Sequence, residues 1–115
     1  MSIEATVEKP ICTWAEKQGW FVRKLQWAYR VGAPDRLFIK DGRVVFIEFK
    51  RPAKSKLVPE DKRTEMQKRE ADRLIEAGAE YHLVNDIADA CRILGIRNLA
   101  AEPYPKAPSR RSRRL

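Results

Sequence analysis

Cysteine and histidine are scarce in this chain of 115 residues. Its two cysteines, Cys12 and Cys91, do not stand at a spacing typical of a metal site or a redox pair. We therefore expect both to be reduced, buried thiols of a cytosolic protein. The only histidine, His82, lies among apolar residues and is expected to have a structural role. This shortage of sulfur and imidazole ligands disfavours a zinc site.

Long apolar runs are also missing. No run approaches the length of about 18 residues that a membrane-spanning helix needs, so no span is expected. The N-terminus lacks the basic-then-apolar pattern of a signal peptide, which predicts a cytoplasmic protein. The chain is long enough for one small domain, and its 43% hydrophobic and 35% charged residues are typical of a folded domain.

Acidic residues are absent after Glu102, so the charge is uneven along the chain. Five of the eight net positive charges come from Lys106, Arg110, Arg111, Arg113 and Arg114. A basic balance of this size predicts a polyanionic partner. We predict a domain at residues 1–101 and a Pro/Arg-rich basic tail at 102–115. The tail is either a solubilising extension or an arm that contacts phosphates without reading sequence.

Apolar periodicity predicts an α/β domain with the element order α-β-β-β-α-β-α, in which helices pack on one mixed sheet. The predicted helices cover residues 3–18, 61–77 and 86–94, the last beginning at 85 or 86. The predicted strands cover residues 20–25, 35–39, 44–50 and 80–84, and loops cover 26–34 and 51–60. The inward stripe of the first helix is Val7, Ile11, Trp14 and Ala15, and that of the second is Gln67, Ala71, Leu74 and Ile75.

Asp41-Gly42 stands between two apolar runs and is a strong hairpin signal. A two-residue type I′ turn pairs Lys40 with Arg43. Counting back along the two strands then places Asp35 opposite Glu48.

Two carboxylates directly opposite each other would lie about 5 Å apart at Cβ. This placement is destabilising unless a cation lies between them or one of them is protonated. Lys50 is two residues after Glu48 and therefore points to the same face. Asp35, Glu48 and Lys50 thus predict a divalent-metal site suited to phosphodiester hydrolysis, and oxygen ligands favour Mg²⁺ or Mn²⁺.

The strand at 44–50 is apolar on both faces over most of its length, which predicts a central, buried strand. An alternative is that the strand leaves the core at Glu48, so that its charges are solvated. Burial of unpaired carboxylates would require a metal or another cation.

Four other residues are candidates for the same site. Glu8 could point from the first helix to the sheet end, although Glu4 competes on the same face and either could simply favour the helix dipole. Gln67 is polar on an inward stripe, or is merely exposed at a helix start. Tyr29 and Arg30 lie just before the site, where stacking on bases and contact with phosphate would be useful.

The motifs Gly32-x-Pro34-Asp35-Arg36 and Phe46-Ile47-Glu48-Phe49-Lys50, followed by Gln67, resemble those of the VRR-NUC family. These virus-type replication-repair nucleases belong to the PD-(D/E)XK superfamily, whose core is restriction-endonuclease-like. The similarity runs over residues 8–94.

The resemblance implies a role for each matching residue. Asp35, Glu48 and the Phe49 carbonyl would be metal ligands, with Glu8 acting through water. Lys50 would orient the attacking water and stabilise charge on the phosphate. Glu8, Asp35, Glu48, Lys50 and Gln67 together would form the catalytic set.

The resemblance also implies a Mg²⁺-dependent DNA endonuclease, with Mn²⁺ as a substitute, that acts on four-way junctions or flaps. Small family members resemble phage proteins that act as homodimers, in this case in the cytoplasm of a bacterial host. The gap of 17 residues between Lys50 and Gln67 is long for such members and indicates an insertion. Alternatives are a non-catalytic nucleic-acid-binding module and an RNA-processing nuclease. The predicted nucleic-acid contacts are Tyr29, Arg30, Arg36, Lys54, Lys56, Lys62, Arg63, Arg110, Arg111, Arg113 and Arg114.

Overall fold

The computed structural model describes residues 3–50 and 64–100 of the chain. Its first helix opens with a π-helical turn at Glu4–Glu8 and continues as α1, Lys9–Lys17. Pro10 lies in the first turn of α1 and has no N–H to donate to the π-helical turn that precedes it. This helix occupies the predicted position.

A four-stranded mixed sheet forms the centre of the domain. Its strands are β1 (Phe21–Lys24), β2 (Arg36–Lys40), β3 (Arg43–Phe49) and β4 (Glu80–Val84), in the order β1-β2-β3-β4. The first three strands are antiparallel and β4 is parallel to β3. The crossover between β3 and β4 contains α2, Glu65–Glu76, and α3 follows at Ile87–Leu94. The predicted α/β class and element order are confirmed.

The turn between β2 and β3 sets the register of the sheet. Asp41 has φ 51° and Gly42 has φ 82°, which are the two positive values that a type I′ turn requires. Lys40 therefore pairs with Arg43, and the ladder runs back to Arg36 opposite Ile47. The predicted register is confirmed over the whole ladder.

The core lies between one face of the sheet and the helices α1 and α3. It includes the predicted positions Val7, Ile11 and Ala15, with Trp14 packed at its edge. Trp20 is buried and meets Phe38 edge to face, with the ring centroids 6.3 Å apart. The core residues of the sheet are Val22, Phe38, Val45, Ile47, Phe49 and Val84.

The other face of the sheet is partly exposed along β3. The prediction that this strand is buried on both faces is therefore wrong. Val44 is 42% exposed and Phe46 is half-buried, whereas Glu48 on the same face is fully buried. The reason is that α1 and α3 cover the opposite face, while α2 reaches this face near Glu48. The alternative, in which the strand leaves the core at Glu48, is also wrong.

The inward stripe of α2 differs from the prediction at one position. Ile75 is exposed, and Glu70 is buried in the helix together with Ala71. At about 100° per residue, Gln67, Glu70, Ala71 and Leu74 share one face and Ile75 falls roughly a quarter-turn from its centre.

Two smaller expectations concern cysteine and histidine. Both cysteines are free, but only Cys12 is buried, because Cys91 lies at the partly covered side of α3. Burial raises the pKa of the Cys12 thiol to about 11, so it is an inert, protonated core residue. His82 Nε2 lies 2.8 Å from Glu80 Oε2, and its structural role stays a prediction.

Several predicted features lie outside the described residues. They are the loop at 51–60, the domain boundary after residue 101 and the basic tail at 102–115. The second helix begins at Glu65 and not at residue 61 as predicted, because Thr64 has an extended backbone and caps the helix. Within residues 3–50 and 64–100, no helix is long and apolar enough to cross a membrane.

Candidate active site

Asp35 immediately precedes β2. One further step of the ladder beyond Arg36 and Ile47 places Asp35 opposite Glu48. The backbone N–H of Phe49 donates to Asp35 Oδ2 over 2.8 Å, and the carbonyl of Asp35 accepts from the N–H of Leu25 over 3.0 Å. Both the side chain and the backbone of Asp35 are therefore fixed at the end of β3.

Glu48 is 1% exposed, an unusual position for a carboxylate. Its Oε2 accepts a hydrogen bond from Gln67 Nε2 over 2.6 Å and lies 3.3 Å from Lys50 Nζ. Its Oε1 is buried and has no hydrogen-bond partner among the residues that the structure describes. Among the described residues, no group therefore offsets the loss of hydration of this carboxylate oxygen.

Burial, and then the negative charge of Asp35, raise the pKa of Glu48 to about 7, although Lys50 acts in the opposite direction. Two ionised carboxylates cannot donate a hydrogen bond to each other. The pair therefore requires either a proton or a cation between the two groups.

Gln67 connects the first turn of α2 to this carboxylate pair. Its backbone N–H donates to Thr64 Oγ1 over 3.1 Å, and its Oε1 accepts from the N–H of Thr64 over 3.0 Å. This reciprocal capping box fixes the amide of Gln67, so that Nε2 faces Glu48. The predicted partner inside the domain is therefore Glu48, and the alternative of a merely exposed glutamine is excluded.

Gly32 holds the loop before Asp35 against the same helix turn. It has φ 100°, and a Cβ at this position would lie 2.6 Å from the carbonyl oxygen of Met66. Only glycine allows this approach of two backbone segments. Sequence patterns place Gly32 in a motif but give no sign of its contact with α2.

Lys50 follows β3 directly. Its N–H donates to the carbonyl of Val84 over 2.8 Å, which continues the pairing of β3 with β4. Its side chain is 24% exposed and reaches Glu48. The predicted trio of Asp35, Glu48 and Lys50 is brought together at one end of the sheet.

A solved structure described as a VRR_NUC domain is similar to this chain, with a TM-score of 0.59 and 27% sequence identity. The match covers 86% of this chain and 99% of that chain. This similarity supports the resemblance to the VRR-NUC family that the sequence motifs carry. No protein-family model and no curated protein matches the chain. The similarity and the fold together indicate a nuclease domain.

The glutamate of the N-terminal helix is paired with an arginine. Glu8 is 5% exposed, and its Oε2 accepts from Arg36 Nε over 2.7 Å. Strand alternation puts Arg36 on the α1 face of the sheet, opposite to the face of Asp35 and Glu48. Within the described residues, no three His, Cys, Asp or Glu side chains are grouped so that they could hold a metal ion.

Two roles given in the sequence analysis stay predictions: Glu8 as a metal ligand through water, and Arg36 as a nucleic-acid contact. The competing Glu4 side chain lies outside the described part of the structure. The oxygens that could hold a metal at the end of the sheet are those of Asp35 and Glu48.

The candidate nucleic-acid contacts are only partly described. Tyr29 is fully exposed, and the side chain of Arg30 is 52% exposed. Arg36 is 25% exposed beside Glu8. Outside the described residues lie Lys54, Lys56, Lys62, Arg63, Arg110, Arg111, Arg113 and Arg114.

Proposed function

We propose that this domain is a Mg²⁺-dependent endonuclease that hydrolyses phosphodiester bonds of DNA, and that Mn²⁺ can replace Mg²⁺. One observation carries the proposal: Glu48 is buried opposite Asp35 with Oε1 unpartnered among the described residues. Leaving such a group uncompensated costs several kcal/mol. A bound divalent cation would supply the compensation.

The donor set fits a hard cation. Carboxylate oxygens of Asp35 and Glu48, together with the carbonyl of Phe49, are ligands that Mg²⁺ accepts, and Glu8 would act through water. When bound, the ion would supply an electrophile that stabilises negative charge on the phosphate.

Lys50 and Gln67 have separate tasks in this proposal. Lys50 Nζ lies beside Glu48 and would orient the attacking water and stabilise the charge that develops on the phosphate. Gln67 holds Glu48 Oε2, and Oε1 is left without a hydrogen-bond partner among the described residues. Because the capping box fixes Gln67, the carboxylate is positioned before any substrate binds.

Branched DNA, such as a flap or a four-way junction, is the proposed substrate, and a homodimer is the proposed assembly. The described residues of one chain form one site of this kind, at Asp35 and Glu48, whereas cutting both strands of a symmetric junction requires two sites. A two-fold dimer is the simplest arrangement that supplies them.

Cleavage of labelled linear, flap and four-way DNA in Mg²⁺, Mn²⁺ or EDTA tests the proposal. Asp35→Asn and Glu48→Gln should abolish cutting, whereas Asp72→Asn, an exposed change on α2, should not. We expect cutting in both metals, none in EDTA, and preference for branched substrates.

Binding without cleavage in any metal would instead favour the non-catalytic module. Cleavage of RNA in preference to DNA would favour the RNA-processing alternative. A sedimentation measurement that gives a monomer at assay concentration would contradict the homodimer.

A further inference from the structure

We propose that Tyr29 is a stacking platform for a nucleobase that is exposed where a DNA duplex branches. This inference rests on the proposed function, because it takes branched DNA as the substrate. It assigns the recognition of the branch to the loop between β1 and β2 rather than to the carboxylate site.

Tyr29 has an exceptional combination of exposure and backbone conformation. Its side chain is fully exposed, more so than any other large apolar side chain of the described residues. Its φ is 65°, a value that disfavours every residue with a Cβ. Apart from Asp41 in the hairpin turn, it is the only non-glycine residue with positive φ in the described ranges. Strain of this kind concentrates at functional sites.

The loop that carries Tyr29 is anchored to α2 by two residues that follow Tyr29. Arg30 Nη2 lies 3.4 Å from Glu70 Oε2 on α2, and Gly32 lies against the carbonyl of Met66. Tyr29 is thus held outward by contacts of its neighbours. An exposed ring on an anchored loop loses little conformational freedom on binding.

The position of the loop suits contact with DNA near the cleaved bond. Tyr29 is six residues before Asp35, so its Cα lies at most about 20 Å from that of Asp35. This length corresponds to about six stacked base pairs at 3.4 Å each. The Arg30 side chain, 52% exposed, supplies positive charge beside the ring for the neighbouring phosphate.

A base can stack on an aromatic ring only where it is free of its duplex neighbours, as at a branch or an unpaired end. Base–aromatic stacking contributes about 1–3 kcal/mol per base by substitution, which corresponds to about five- to 150-fold in Kd. The contribution should therefore appear for branched DNA and be absent for an intact linear duplex.

Tyr29→Gly and Tyr29→Phe form a matched pair for the test. Glycine accepts the φ of 65° and removes the ring without strain, whereas phenylalanine retains the ring. Ile75→Ala removes another exposed apolar side chain and is the control. Affinities of the full chain for a flap and for a linear duplex of equal length are measured in EDTA, where binding is separated from cleavage.

We expect Tyr29→Gly to weaken flap binding about five- to 150-fold and linear binding less than twofold. Tyr29→Phe and Ile75→Ala should behave as wild type. In Mg²⁺, Tyr29→Gly should raise KM for the flap and leave kcat unchanged. The inference is overturned by an equal loss on both DNAs, by no loss, or by loss in Tyr29→Phe.

A change of the sedimentation coefficient in Tyr29→Gly, with flap affinity unchanged, would also overturn it, because Tyr29 would then contact a second protein copy. Failure of the proposed function is distinguishable. If wild type cuts no DNA yet the flap-specific binding loss occurs, the stacking inference stands and the nuclease proposal fails.

Discussion

Replacing Glu48 by glutamine should stabilise the metal-free protein at high pH. Glutamine has the shape of glutamate and carries no charge. Its carbonyl can accept from Gln67 as Glu48 Oε2 does, and its NH₂ can donate toward Asp35. The orphaned oxygen of the wild type thus becomes a paired donor, and the repulsion between two carboxylates disappears.

The magnitude follows from the pKa of Glu48, which burial raises from 4.5 to about 7. The folded state therefore binds the proton more tightly than the unfolded state does. The stability that this proton contributes is complete below pH 4.5 and is lost as the pH rises through 7. At 1.36 kcal/mol per pKa unit, the loss is about 3 kcal/mol at pH 8.

Thermal unfolding by circular dichroism in EDTA at pH 5 and pH 8 is the assay. Glu48→Gln should unfold about 10 °C above wild type at pH 8 and within a few degrees of it at pH 5. Asp72→Asn, an exposed change on α2, should follow wild type at both values. At pH 8, Mg²⁺ should raise the unfolding temperature of wild type but not that of Glu48→Gln. An equal difference at both pH values, or a less stable Glu48→Gln at pH 8, would refute the reasoning.

Three further predictions concern other parts of the chain. Lys50→Ala should keep DNA affinity and lose about 100-fold in single-turnover rate, whereas parallel losses would identify Lys50 as an ordinary phosphate contact. Gly32→Ala should lower the unfolding temperature more than Gly78→Ala, since both have positive φ but only Gly32 faces a backbone carbonyl; equal losses would contradict that contact. Deletion of residues 106–115 should reduce the slope of log K against log salt by about 0.9 for each lost phosphate contact, with an unchanged cleavage position. An unchanged slope would support the solubilising tail.

The hairpin could be predicted from sequence because its cause is local. A two-residue turn of Asp41-Gly42 admits one conformation, and that conformation fixes the pairing of every residue behind it. Asp35 and Glu48 were placed opposite each other by counting alone. The inward-facing apolar residues of α1 could likewise be predicted, because one face of this helix packs against one face of the sheet.

The start of α2 carries a local signal that apolar periodicity does not detect. Thr64-x-x-Gln67 is a capping-box pattern, and it places the N-cap at Thr64. The same pattern also gives Gln67 a structural role, because its side chain caps the start of the helix. The bond from Gln67 to Glu48 could not be predicted, because it depends on how α2 lies across the sheet.

Contacts between segments that are far apart in sequence could not be predicted either, because they also depend on how the elements pack. Gly32 against Met66, and Arg36 with Glu8, join parts of the chain that no pattern of spacing links. The burial of Glu70 in place of Ile75 follows from its ion pair with Arg30, since the loop over α2 covers that side of the helix. Periodicity identifies a helix face, but the neighbour that covers it decides which residue at its edge is buried.

The first turn of α2 joins the two proposed parts of the site. Met66 receives the loop of Tyr29 through Gly32, and the next residue, Gln67, holds Glu48. A displacement of the loop therefore displaces the turn that positions the carboxylate, because both contacts arise from adjacent residues of one capped helix start. In this arrangement, a residue larger than glycine at position 32 would disturb both the loop that carries Tyr29 and the helix turn that positions Glu48.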